Sequence, residues 1–128
     1  MSILGALQRE VNLNLNENRN NAAMPRVSVN TDMGEDLCFG CGQNNLIGLK
    51  LSFQWEGSGV VAEFTPGEHY QGWQRVVHGG IIASMLDEAM AYAARFTVKN
   101  CITAEMEIKF KCVALAGEPL VVTASITK

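Results

Sequence analysis

The residues that could do chemistry are concentrated in Val77-His78-Gly79-Gly80-Ile81-Ile82-Ala83-Ser84-Met85-Leu86-Asp87-Glu88. Two glycines followed by helix formers predict a tight turn into a helix, with Gly80 in the first turn, where backbone N–H groups lack an intrahelical acceptor. Such a terminus attracts negative charge, including an oxyanion that forms during a reaction. Asp87 follows His78 by nine residues and is a candidate base or nucleophile. His78 could contact a reacting group or hold the turn through its ring nitrogens. Each residue also has a purely structural reading. Asp87 could pair with Arg75 or Arg95, the glycines could only permit close packing, and Thr103 could be present only as a good strand former.

The elements that would position these groups follow from periodicity. Ile82, Met85, Leu86, Ala89, Ala93 and Phe96 recur at three- and four-residue steps and predict a helix running to Phe96. Ala83, Ala91 and Ala94 leave it almost no polar face, so other structure must wrap it. Glu88 points about 100° away from Asp87 and is expected at a solvent or subunit edge. Before the helix, Leu49, Leu51, Phe53 and Trp55 alternate with polar residues, Gly57-Ser58-Gly59 turns the chain, and Val60–Thr65 completes a hairpin. After it, Cys101–Val113 alternates Ile102, Ala104, Met106, Ile108 and Phe110 with polar residues and predicts a long strand; Leu120–Thr127 predicts the last one. The order is strand, strand, buried helix, strand, strand; one sheet cannot cover such a helix on all sides, but a sheet curled round it plus a second subunit could.

The chain has 128 residues, the size of one domain, and its apolar content of 48% is ordinary for a globular protein. A net charge of −3 gives no footprint for nucleic acid. No apolar run reaches the roughly 18 residues of a membrane span. The N-terminus lacks the features of a secretory signal, so a cytoplasmic protein with free thiols is expected. Residues 1–36 read as an N-terminal arm, mobile or contributing a strand, because Val11, Leu13 and Leu15 alternate with asparagines. Residues 37–128 form the domain proper. Cys38-x-x-Cys41 is half of a metal site, but Cys101, Cys112 and His69 do not complete it at finger-like spacing, and no metal is expected.

Cys38-Phe39-Gly40-Cys41-Gly42, the later Asn45 and Gly48-Leu49, His78-Gly79-Gly80 with Asp87, and Thr103 in Ile102-Thr103-Ala104-Glu105-Met106 together resemble the hotdog-fold acyl-CoA thioesterases of the PaaI-like (phenylacetic-acid-pathway) branch. The resemblance runs from about Cys38 to the end. It implies an α+β fold in which a curved antiparallel sheet wraps one long helix and two subunits share two sites. Relatives continue past Lys128 with a further strand, for which the Val11–Asn16 stretch is a possible substitute.

The implied activity is hydrolysis of an acyl-CoA thioester to free acid and CoA, with no cofactor. Gly80 N–H would polarise the thioester oxygen, Asp87 would act as general base or nucleophile, Thr103 would orient the water or the carboxylate, and His78 would hold the loop. Gly79, Met85, Met90 and Phe96 would meet the substrate. Asp87 lies seven residues beyond Gly80, about 10 Å along the helix, too far to serve one carbonyl with it. A homodimer, or a tetramer built from dimers, with antiparallel helices would solve this. The alternative is an acyl-CoA-binding or regulatory hotdog domain without turnover.

Overall fold

The computed structural model describes residues 37–95 and 102–127, together with the backbone of two strands, Arg9–Leu15 (β1) and Val27–Ser28 (β2). The remaining strands are β3 (Gln54–Glu56), β4 (Gly59–Phe64), β5 (Gln71–Trp73), β6 (Val76–Val77) and β7 (Leu120–Ile126). One helix, α1, spans Gly79–Arg95. Five strands form an antiparallel sheet in the order β1-β7-β4-β3-β2, and β5 pairs with β6 in a separate ribbon. The class is α+β: one antiparallel sheet laid against one long helix.

The hairpin forms where the turn residues demand it. β3 and β4 are joined by Gly57-Ser58, with Glu56 opposite Gly59. Gly57 sits at φ +64°, a left-handed conformation that costs glycine little. Gly59 is needed for a different reason: a side chain there would run into the Ala124 carbonyl oxygen of β7. The predicted first strand is paired only at its end. Residues 49–53 approach the sheet without joining a ladder, yet the alternation holds, because Leu49, Leu51 and Phe53 are all buried.

β7 is the middle of the core. It pairs with β4 on one side and with β1 on the other, where Leu13 lies opposite Val122. Its alternate residues Leu120, Val122 and Ala124 are buried, and they join Met85, Ala89 and Ala93 of α1 and Val60 and Ala62 of β4 in one cluster. Phe53 stacks on Tyr92 with ring centroids 4.5 Å apart. Burying a leucine-sized side chain is worth about 1.5–3 kcal/mol, so this cluster carries much of the stability.

The β5–β6 ribbon delivers the chain to the helix. Arg75 turns it with φ +65°, held by a 2.6 Å hydrogen bond from its own N–H to Gln71 Oε1. Val77 N–H then bonds Ala114 O at 2.8 Å, and His78 N–H bonds Tyr70 O at 2.8 Å. Tyr70 is itself fixed through its hydroxyl, which donates to Gly48 O at 3.0 Å.

One expectation changes. Residues 102–113 of the predicted long strand join no ladder among the described residues, and Ile102 is 90% exposed and Phe110 61%. Alternation records that one face should be covered; it does not say that the cover is in the same chain. Phe96, Cys101 and most of residues 1–36 lie outside the described residues. Among the described residues no helix is long and apolar enough to cross a membrane.

Leu120 has no exposed surface and sits where β7, β4 and α1 converge. Leu120→Ala is expected to lower unfolding free energy by about 2–5 kcal/mol in urea titrations. A loss below about 1 kcal/mol would mean that this contact is not the centre of the core.

Candidate active site

The helix begins at His78. Its carbonyl accepts from Ile81 N–H at 2.9 Å and Ile82 N–H at 3.2 Å, and its ring Nδ1 accepts from Gly80 N–H at 2.8 Å. His78 is therefore the cap residue, doing with a ring nitrogen what serine or aspartate does with oxygen. A neutral ring that accepts at Nδ1 carries its proton on Nε2. Gly72 backs this arrangement, since a Cβ on it would lie 3.1 Å from His78 Cδ2.

The Gly80 N–H, expected as the polarising amide, is engaged by the His78 ring in this structure. The amide before it, Gly79 N–H, has no hydrogen-bond partner among the described residues and stands at the first helical position. Gly79 is exposed, and a Cβ built on it would meet only the Phe110 ring, at 3.6 Å. The free donor of the first turn is thus Gly79.

Further along the helix, Thr103 Oγ1 donates to Asp87 Oδ1 at 2.5 Å. It occupies one oxygen and leaves Oδ2 for another proton donor or an electrophile. A purely structural Asp87 would pair with Arg75 or Arg95. Among the described residues it has no ion pair with Arg75 or Arg95, and the Arg95 guanidinium instead lies over the Tyr92 ring, 4.9 Å from its centroid. Asp87 and Thr103 therefore come together; His78 and Gly79 sit one end of the helix away. Gly79 and Asp87 are eight residues apart, about 12 Å along the axis.

The expected substrate residues fare differently. Met85 is fully buried in the core and Met90 is buried as well, so neither offers surface to a substrate in the described chain. Phe96 lies outside the described residues. Glu88 is not at an open edge: it packs against Gly40, where a Cβ would collide with its carboxylate, and it accepts from Cys38 Sγ at 3.7 Å. Burial and the neighbouring Glu88 carboxylate push the Cys41 thiol up to about 12. Cys41 is thus a thiol at neutral pH and a poor nucleophile. The Glu88 contact was not legible from the helix alone, because it depends on how the loop at residues 38–48 folds back.

The antiparallel sheet laid against one central helix fits a hotdog fold. Residues 74–128, the segment that holds the helix, Thr103 and β7, match the model of the thioesterase superfamily. The chain is also 32% identical over 74 residues to an uncharacterized protein of Schizosaccharomyces pombe. That match takes in 56% of this chain and 42% of the yeast protein, so the chain spans less than half the length of the curated relative it matches. No solved structure matches the chain.

The cap makes its own prediction. His78→Ala removes the acceptor of Gly80 N–H and should cost about 0.5–2 kcal/mol in chemical denaturation. His78→Asn, which can cap in the same way, should recover most of that. Equal losses in both variants would show that the ring contributes by packing rather than by capping.

Proposed function

We propose that the protein is an acyl-CoA thioesterase of the PaaI-like branch, acting as a homodimer with shared sites. The observation that carries this reading is the 2.5 Å hydrogen bond from Thr103 to Asp87, on the helix that begins with a free Gly79 amide. Asp87 activates a water as general base or attacks the thioester carbonyl directly. In the direct route the carboxylate displaces CoA as its thiolate, which takes a proton from water, and a second water then cleaves the mixed anhydride to free acid and the Asp87 carboxylate. Thr103 holds the carboxylate in one rotamer. Gly79 N–H, at the positive end of the helix, polarises the carbonyl and stabilises the oxyanion.

The two groups cannot act on one carbonyl from a single helix, given about 12 Å between them. A twofold partner running antiparallel brings the Gly79 amide of one copy to Asp87 of the other. The apolar face of residues 102–113, with Ile102 and Phe110 exposed, is the surface for that partner: among the described residues its backbone joins no ladder, and its apolar side chains need cover.

Thiol release from a panel of acyl-CoAs tests the reading. At least one member should be turned over, and Asp87→Asn should reduce the rate by about 10²–10⁴ while leaving the fold intact by circular dichroism. Binding without thiol release from any member would favour the non-catalytic acyl-CoA-binding reading.

Sharing has a separate test. Gly79→Pro removes the amide at the helix position that tolerates proline best, and should reduce kcat about 10²–10³. Gly79→Ala keeps the amide and should stay active. Mixed and allowed to exchange subunits, the Asp87→Asn and Gly79→Pro variants should regain about a quarter of native activity, since half the dimers are mixed and each has one intact site. No recovery in a mixture shown to exchange would rule out a shared site.

A further inference from the structure

A second group of side chains lies one residue along the helix from Asp87 and takes no part in the chemistry above. Cys38 Sγ, Cys41 Sγ and a Glu88 carboxylate oxygen all lie within 4.8 Å of one another, and all three residues are half-buried. Cys38 Sγ stands 3.7 Å from Glu88 Oε1 and 3.8 Å from Oε2. We infer that Cys38, Cys41 and Glu88 form a binding site for a divalent ion of the zinc class, which ties the loop at residues 38–48 to α1.

The geometry fits this ion. With zinc–sulfur bonds of about 2.3 Å and zinc–oxygen bonds of about 2.0 Å, the edges of a tetrahedron are about 3.5–3.8 Å. The Cys38 sulfur-to-carboxylate distances of 3.7 and 3.8 Å lie close to those edges, and Cys41 Sγ, within 4.8 Å of both partners, closes in to complete the site. Two thiolates and one carboxylate select zinc over magnesium or calcium, which prefer all-oxygen shells. Water takes the fourth position. Binding forms two sulfur–metal bonds and one oxygen–metal bond, and the two thiol protons leave to solvent.

The backbone is shaped for the task. Cys41 N–H donates to Cys38 Sγ at 3.4 Å, and Gly42 N–H closes a tight turn on Cys38 O at 2.8 Å. This turn aims both sulfurs to the same side. Gly40, between them, presents bare backbone to Glu88, which a larger residue would push out. Leu49 N–H to Phe39 O at 2.8 Å and Leu51 N–H to Gly40 O at 2.9 Å then anchor the turn to the buried segment leading into β3. Cys112 is exposed and belongs to no such group, so it serves as a control.

Cobalt(II) is the probe, because thiolate ligands give it a near-ultraviolet charge-transfer band and tetrahedral geometry gives it intense visible bands. Full-length protein, treated with chelator and reductant and then desalted, should take up one equivalent of cobalt with both signatures, and zinc should displace it. Cys38→Ser and Cys41→Ser should each lose the charge-transfer intensity of one thiolate. Glu88→Gln should weaken binding about tenfold or more, and Cys112→Ser should change nothing. Circular dichroism of each variant separates loss of the site from loss of the fold. Cobalt uptake without a charge-transfer band, or a band that persists in Cys38→Ser and Cys41→Ser and disappears in Cys112→Ser, would overturn the assignment.

Discussion

A helix with almost no polar face has to be enclosed, and that requirement organises the domain. The buried side of α1, including Met85, Ala89 and Ala93, is covered by the sheet, chiefly by Leu120, Val122 and Ala124 of β7. Alanine at positions 89 and 93 lets the sheet come close. The half-buried stripe is Ser84, Asp87, Glu88, Ala91 and Arg95, spaced at the three- and four-residue steps of one helix face. Polar groups on such a stripe must find local partners. Ser84 Oγ returns to Gly80 O at 2.8 Å, Asp87 takes Thr103, Glu88 takes Cys38, and Arg95 lies over Tyr92. The groups that can do chemistry lie on this stripe, away from the side that the sheet buries.

The rigidity of the helix then limits what one chain can do. Its rise of about 1.5 Å per residue holds the free amide and the carboxylate apart whatever the side-chain rotamers. An acyl group placed at Gly79 N–H is out of reach of Asp87 on the same helix. The exposed apolar face of residues 102–113 points to the same conclusion from different physics, because it is uncovered surface rather than a missing distance. Thr103 lies on this segment, so the residues that would meet a second copy also orient Asp87. Assembly and catalysis would then be coupled through one stretch of chain.

Much of this could be read from the residues alone, and the exceptions have physical causes. The helix, the hairpin around Gly57 and the final strand follow from period and turn chemistry, which are local. The pairing of Asp87 with Thr103 was also legible, on a resemblance rather than on spacing. The engagement of Gly80 N–H by the His78 ring was not. Which of two glycines keeps a free N–H depends on the rotamer of the preceding histidine, and His78 turned inward to cap Gly80. The strand expected at residues 101–113 failed for another reason: alternation reports a half-covered surface, and it is silent on whether the cover lies in the same chain. Glu88 was misread because a helical wheel has no term for a loop that folds back over it.

Asp87 and Glu88 show how far environment decides the role of an acid. Both are half-buried carboxylates on one helix, adjacent in sequence and about 100° apart around the axis. One faces a hydroxyl that donates a single short hydrogen bond and leaves its second oxygen available. The other faces two sulfurs and a glycine backbone, packed between the loop and the helix. The first environment suits a group that must gain and lose a bond during turnover; the second suits one that must hold still. Because the two share a peptide bond in a hydrogen-bonded helix, whatever fixes Glu88 against the loop also fixes the backbone from which Asp87 projects.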